Sequence, residues 1–115
     1  MGVTIYHNPR CSKSRQTLAL LQAQGVEPEI VEYLKTPPDR ATLTRLLSML
    51  AREPRELLRK GEAPYKELGL DEASLDAARL IAAMVENPIL IERPIVVKGD
   101  RAALGRPPEA VLDIL

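Results

Sequence analysis

A chain of 115 residues, 45% hydrophobic, can bury one core without help from a disulfide or a metal, and it reads as a single domain over residues 1–115. Sixteen basic residues balance sixteen acidic ones, and three Tyr with no Phe or Trp supply no base-stacking platform, so nucleic-acid binding is not expected. One Cys excludes an internal disulfide, and one Cys with one His excludes a structural zinc site, which fits a reducing, cytoplasmic setting.

No apolar run reaches membrane-spanning length, and strand-like residues begin at Val3 with no basic and apolar leader before them. Neither a membrane span nor a signal peptide is therefore expected. Met1-Gly2 resembles the start of a myristoylation signal, but Tyr6 stands where that signal needs Ser or Thr.

Residues 3–6 are β-branched and aromatic and predict a strand. Asn8-Pro9 turns the chain, which makes 7–10 a loop. Leu18, Leu20 and Leu21 place a helix over 12–24, closed by Gly25. A second strand follows over 29–33, and strand, helix and strand at this spacing form a right-handed βαβ unit with parallel strands. Thr36-Pro37-Pro38-Asp39 stops the chain and starts a helix over 42–50, with Leu43, Leu46, Leu47 and Leu50 on one face. Pro54 suits the first turn of a short helix through Leu57-Leu58. Residues 61–69 are expected to be irregular, because Pro64 argues against a helix. Ser74 is the expected N-cap of a helix running to Glu86 with Leu75, Ala78, Ile81, Ala82 and Val85 buried, and Asn87-Pro88 stops it. Ile95-Val96-Val97 predicts a buried strand, Gly99-Asp100 a hairpin tip, and residues 102–104 an antiparallel return. Pro107 or Pro108 opens a last helix through Ala110, Val111 and Ile114. The order is an α/β, thioredoxin-like topology with a helical insertion between its βαβ and ββα halves.

Cys11 falls between the first strand and the first helix. Unpaired N–H groups at a helix start, with the helix dipole, favour a thiolate and can cradle an oxyanion beside it. His7, Arg10, Lys13 and Arg15 lie close enough in sequence to lower the thiol pKa further. A lone Cys is often only a small buried hydrophobe, but the neighbours Arg10, Ser12 and Lys13 are polar and favour the reactive reading. His7 at a strand end serves either the thiol or only the loop. Ser14 makes the pattern C-x-x-S, so no resolving thiol stands three residues on or anywhere else. Any disulfide step must take its second thiol from outside, for example from glutathione.

The stretch from Tyr6 to Arg15, YHNPRCSKSR, resembles the active-site loop of the glutaredoxin-dependent arsenate reductase family. Three further segments are similar to that family, in the same order: Leu57-Leu58-Arg59-Lys60 with Pro64-Tyr65 and Leu68-Gly69-Leu70; Asn87 to Val97, NPILIERPIVV; and Gly105 to Leu112, GRPPEAVL. Arg10 and Lys13, where arsenic-operon members tend to be small or neutral, and the stop at Leu115 resemble a short, housekeeping-type branch. The resemblance implies a cytoplasmic arsenate reductase with no bound cofactor or metal. Glutathione would be the co-substrate and glutaredoxin the protein partner. Cys11 would be catalytic, Arg59, Arg93 and Arg106 would bind the oxyanion, and His7, Ser14 and Arg15 would orient and tune the thiolate. It also implies a cis Arg93-Pro94 bond. Two rival readings keep the fold: a glutathione-linked thiol oxidoreductase with another substrate, and a non-enzymatic, Spx-type regulator that binds RNA polymerase.

Overall fold

The computed structural model describes residues 2–115; Met1, and with it the start of the Met1-Gly2 pair, lies outside the described residues. The chain folds as two compact units. One joins residues 2–36 to Arg93–Leu115, and the other is Pro37–Glu92.

The first unit is built on four strands: β1 (Val3–His7), β2 (Glu29–Glu32), β3 (Ile95–Lys98) and β4 (Arg101–Leu104), in the order β2-β1-β3-β4. β1 pairs parallel with β2, Ile5 opposite Ile30, and antiparallel with β3, Ile5 opposite Val96. β4 returns antiparallel on β3, and Gly99 at the tip takes the positive φ of 64° that the tight turn requires. Val3 and Ile5 alternate onto the buried face, where they meet Val96, Val111 and Ile114 and the Leu21 of the first helix. β2 is an edge strand whose Ile30 is exposed, and it stops at Glu32, one residue short of the predicted end.

Helix α1 (Ser12–Ala23) differs from expectation in which face it buries. The buried positions are Ser14, Thr17 and Leu21, while Leu18 and Leu20 are only half-buried. The stripe at i, i+3 and i+7 is thus polar towards the N-terminus and apolar towards the C-terminus. Gly25 (φ 79°) ends the helix: its N–H donates to the Gln22 carbonyl and the Val26 N–H to the Leu21 carbonyl, both at 3.0 Å.

The polar half of that stripe lets Gly105 come close. A Cβ added at Gly105 would stand 2.7 Å from Pro94 Cγ and against Thr17 Oγ1, with no room for either to retreat from a buried position. Gly105→Ala is expected to cost about 1–3 kcal/mol. Urea unfolding checks this, and an unchanged midpoint at an unchanged slope would refute it.

The second unit is helical. α2 (Arg40–Leu50) is capped by Asp39, which accepts the Thr42 N–H at 2.8 Å, and buries Leu43, Leu46 and Leu47. α3 (Pro54–Leu57) starts on Pro54, as predicted. A further short helix, α4 (Ala63–Glu67), occupies the stretch expected to be irregular; Pro64 sits in its first turn, where a missing N–H costs nothing. α5 (Ala77–Glu86) packs against α2 and α3. Its N-cap is Asp76, accepting the Arg79 N–H at 2.9 Å, and not Ser74, which bonds to Glu72 instead. The helix is apolar almost all round; Ile81 is buried as expected, and Leu80, Ala83 and Met84 join it, while Ala78 is exposed and Leu75, Ala82 and Val85 are half-buried. A single 3₁₀ turn, Pro88–Leu90, follows, and the last predicted helix is also 3₁₀, over Pro108–Ile114.

The sheet order and the βαβ and ββα halves flanking a helical segment are the thioredoxin-like arrangement. Among the described residues no helix is long and apolar enough to cross a membrane.

Candidate active site

The loop between β1 and α1 is fixed by side chains on either side of it. Asn8 donates its N–H to Ser14 Oγ at 3.0 Å and accepts the Arg10 N–H on its Oδ1 at 3.0 Å, while its carbonyl accepts the Cys11 N–H at 3.0 Å. Ser14 is fully buried, and its hydroxyl also pairs with His7 Nδ1 at 2.6 Å. His7, placed in the loop by its sequence, is the last residue of β1 and is 6% exposed. Burial pushes its pKa below the ordinary value, and Arg15 adds to this against the pull of Glu32. A neutral ring paired with a buried hydroxyl therefore ties the strand end to the first turn of the helix. Arg15 closes the outside of the loop by donating to the Pro9 carbonyl at 2.9 Å.

Cys11 is the N-cap of α1, with extended backbone, so its side chain stands where the helix presents unpaired N–H groups. Burial pushes the thiol up. The Ser14 N–H, the Arg93 guanidinium as hydrogen-bond donor and as charge, and the Lys13 N–H outweigh it, and the pKa lies below the ordinary thiol value. Backbone groups and an arginine distant in sequence do the lowering, and the flanking side chains Arg10 and Lys13 lie exposed. Alkylation of Cys11 by an uncharged reagent such as iodoacetamide should rise with pH about a midpoint below the ~8.5 of a free thiol. A midpoint at or above that value would contradict this account.

The two arginines near the sulfur come from the β3–β4 hairpin. The last paired rung is Ile95 opposite Leu104. Arg93 lies two residues before it and Arg106 two residues after it, and both are followed by cis prolines, Pro94 as expected and Pro107 in addition. The Gly105 N–H donates to the Pro94 carbonyl at 2.9 Å and continues the pairing outwards. Arg106 Nε then donates to the Arg93 carbonyl at 2.8 Å, which leaves its Nη2 3.6 Å from Cys11 Sγ. Arg93 is 7% exposed. A planar guanidinium held at one end keeps its other donors in fixed directions, which suits a tetrahedral oxyanion.

Arg59 belongs to the helical unit. Its N–H bonds the Leu90 carbonyl beside an isolated antiparallel bridge, Leu58 to Ile91. Its guanidinium is held by Glu92 at 2.6 Å and Glu62 at 3.3 Å. Burial works against that charge, and the two carboxylates more than offset it, raising the pKa. The first unit thus gathers Cys11, His7, Ser14, Arg15, Arg93 and Arg106, and Arg59 sits between two carboxylates in the other. Sequence reasoning missed Asn8, whose backbone and side chain hold the turn, and Gly105, which lets the hairpin reach α1; only Gly105 next to an Arg-Pro pair offered a signal. Among the described residues no group of three or more His, Cys, Asp or Glu is placed to hold a metal.

An ionised thiol beside a helix tip and two guanidinium groups can bind an oxyanion and attack it. The ArsC family profile matches residues 6–114. The chain is 60% identical to the uncharacterized protein YfgD of Escherichia coli (strain K12), over 98% of this chain and 96% of that one. It is 50% identical to an arsenate reductase of the same organism, over 99% of this chain and 81% of that one. Among solved structures, an arsenate reductase from Vibrio cholerae superposes with a TM-score of 0.97 at 53% identity, covering all of this chain and 98% of that one.

Proposed function

Because the chain belongs to the ArsC family, we propose that it is an arsenate reductase that uses Cys11 as its nucleophile and draws its electrons from glutathione and glutaredoxin. The observation that carries the reading is the Cys11 sulfur, lowered in pKa and 3.6 Å from a guanidinium nitrogen of Arg106. Arsenate binds as an oxyanion over the start of α1, held by Arg93 and Arg106. Arg59, which the family resemblance makes a third oxyanion donor, is engaged by Glu62 and Glu92 within the helical unit.

The Cys11 thiolate attacks arsenic(V), and one oxygen leaves as water or hydroxide, giving a sulfur–arsenic adduct. The guanidinium groups stabilise charge building on the remaining oxygens. A glutathione thiolate then attacks the Cys11 sulfur. The sulfur–sulfur bond forms as the sulfur–arsenic bond breaks, and that electron pair leaves with arsenic in its reduced state. The chain has no second Cys, so glutaredoxin takes the glutathione from the mixed disulfide and restores the thiol. The site of action is the cytoplasm, where both thiols are kept reduced.

The test is arsenate-dependent oxidation of glutathione by the purified protein, with and without glutaredoxin. The reading requires turnover that needs arsenate and is accelerated by glutaredoxin. Activity confined to a glutathionylated substrate would replace it with the thiol oxidoreductase reading.

A further inference from the structure

The first 26 residues contain no Asp or Glu, although acids and bases balance over the whole chain. Arg10, Lys13 and Arg15 lie in that stretch, and all three are exposed. Arg15 is engaged on the Pro9 carbonyl. Among the described residues, the side chains of Arg10 and Lys13 make neither an ion pair nor a hydrogen bond; only their backbones do. Those backbones are fixed on either side of Cys11 in sequence. The Arg10 N–H is held by Asn8 Oδ1, and the Lys13 carbonyl accepts the Thr17 hydroxyl at 2.8 Å. The loop therefore anchors two cations at their base, one on each side of Cys11 in sequence, and leaves their heads in water. Both heads are exposed and flank Cys11 in sequence, so their field acts on a charged group that approaches it.

We propose that Arg10 and Lys13 select the thiol partner of Cys11: they favour a thiol or disulfide that carries carboxylates over a neutral or cationic one. Glutathione, with two carboxylates and one ammonium, belongs to the favoured class. The proposal rests on Cys11 being the nucleophile. In exchange with a disulfide, the Cys11 thiolate attacks one sulfur and the new sulfur–sulfur bond forms as the old one breaks. The other half leaves with the electron pair as a thiolate, so no outside oxidant is consumed.

Exchange rates of Cys11 with dithionitrobenzoate, a dicarboxylate disulfide, and with uncharged dithiodipyridine test this without arsenate. Both are measured at a pH where the thiol is ionised, in the native protein and in the Arg10→Gln/Lys13→Gln variant. The rate ratio should fall on the order of three- to tenfold in the variant, through the dicarboxylate alone, and the native preference should shrink as salt is raised. An unchanged ratio overturns the proposal. So does an equal fall with both reagents, which would assign the two residues to ionising the sulfur. If native Cys11 reacts with neither reagent faster than free cysteine, the proposed function falls as well.

Discussion

Cys11→Ser is expected to keep its fold and lose arsenate turnover by at least about a thousandfold. The exchange removes one sulfur at a half-buried N-cap, a position where a hydroxyl is at least as good a capping group. Stability should therefore hold or rise slightly. Chemistry should not survive, because the same N–H groups and the same Arg93 guanidinium cannot ionise a hydroxyl, whose pKa lies far above any such shift. Arsenate affinity, read by thermal shift, should persist, since Arg93 and Arg106 do not depend on the sulfur for their placement: Arg106 is held by the Arg93 carbonyl and Gly105 by the Pro94 carbonyl. A folded serine variant turning over at the native rate would end the thiol mechanism.

Arg93→Ala should be nearly as damaging for a different reason. The Arg93 side chain lowers the Cys11 pKa both as a hydrogen-bond donor and as a charge. Its removal should carry the thiol back up, so that the alkylation midpoint moves to higher pH and less thiolate is present at neutrality. A thiolate exists above its pKa, so raising the pH should recover that part of the loss. The rest should stay lost at every pH, because an oxyanion donor is gone. About 100- to 1000-fold in kcat/KM, or ~3–4 kcal/mol, is the scale for one such donor. Arg93→Lys separates the two effects: the charge returns and the midpoint falls again, but the planar fork does not, and kcat/KM should remain depressed. An intact Arg93→Ala protein with an unmoved midpoint would contradict this assignment.

Local chemistry carried much of this structure in the sequence. Val3 to Tyr6, the Asn8-Pro9 turn and Gly25 are short-range signals, and they place Cys11 at a helix start without any knowledge of the rest. What escaped was decided by competition or by distance. Pro64 counts against a helix interior but not against a first turn, and nothing local says which it occupies. Ser74 and Asp76 are both capping residues two positions apart, and the carboxylate prevailed. α5 is apolar on nearly every side, so periodicity cannot choose its buried face, whereas the size of Leu80 and Met84 can. The stripe on α1 is polar because Ser14 serves the loop and Thr17 faces Gly105, a partner 88 positions away in sequence. Arg59 met Glu92 across 33 residues, and Arg106 met Cys11 across 95. Only the family resemblance named those arginines, and only the folded chain showed which carboxylates and which sulfur they touch.

The sheet unit is assembled from the two ends of the chain, with Cys11 in the first piece and both of its arginines in the second. During synthesis on the ribosome the cysteine emerges well before either guanidinium group. Until then α1 lacks the Gly105 hairpin it packs on, and its thiol lacks the Arg93 guanidinium that helps to lower it. The thiolate fraction at neutral pH therefore rises when the second piece folds onto the first.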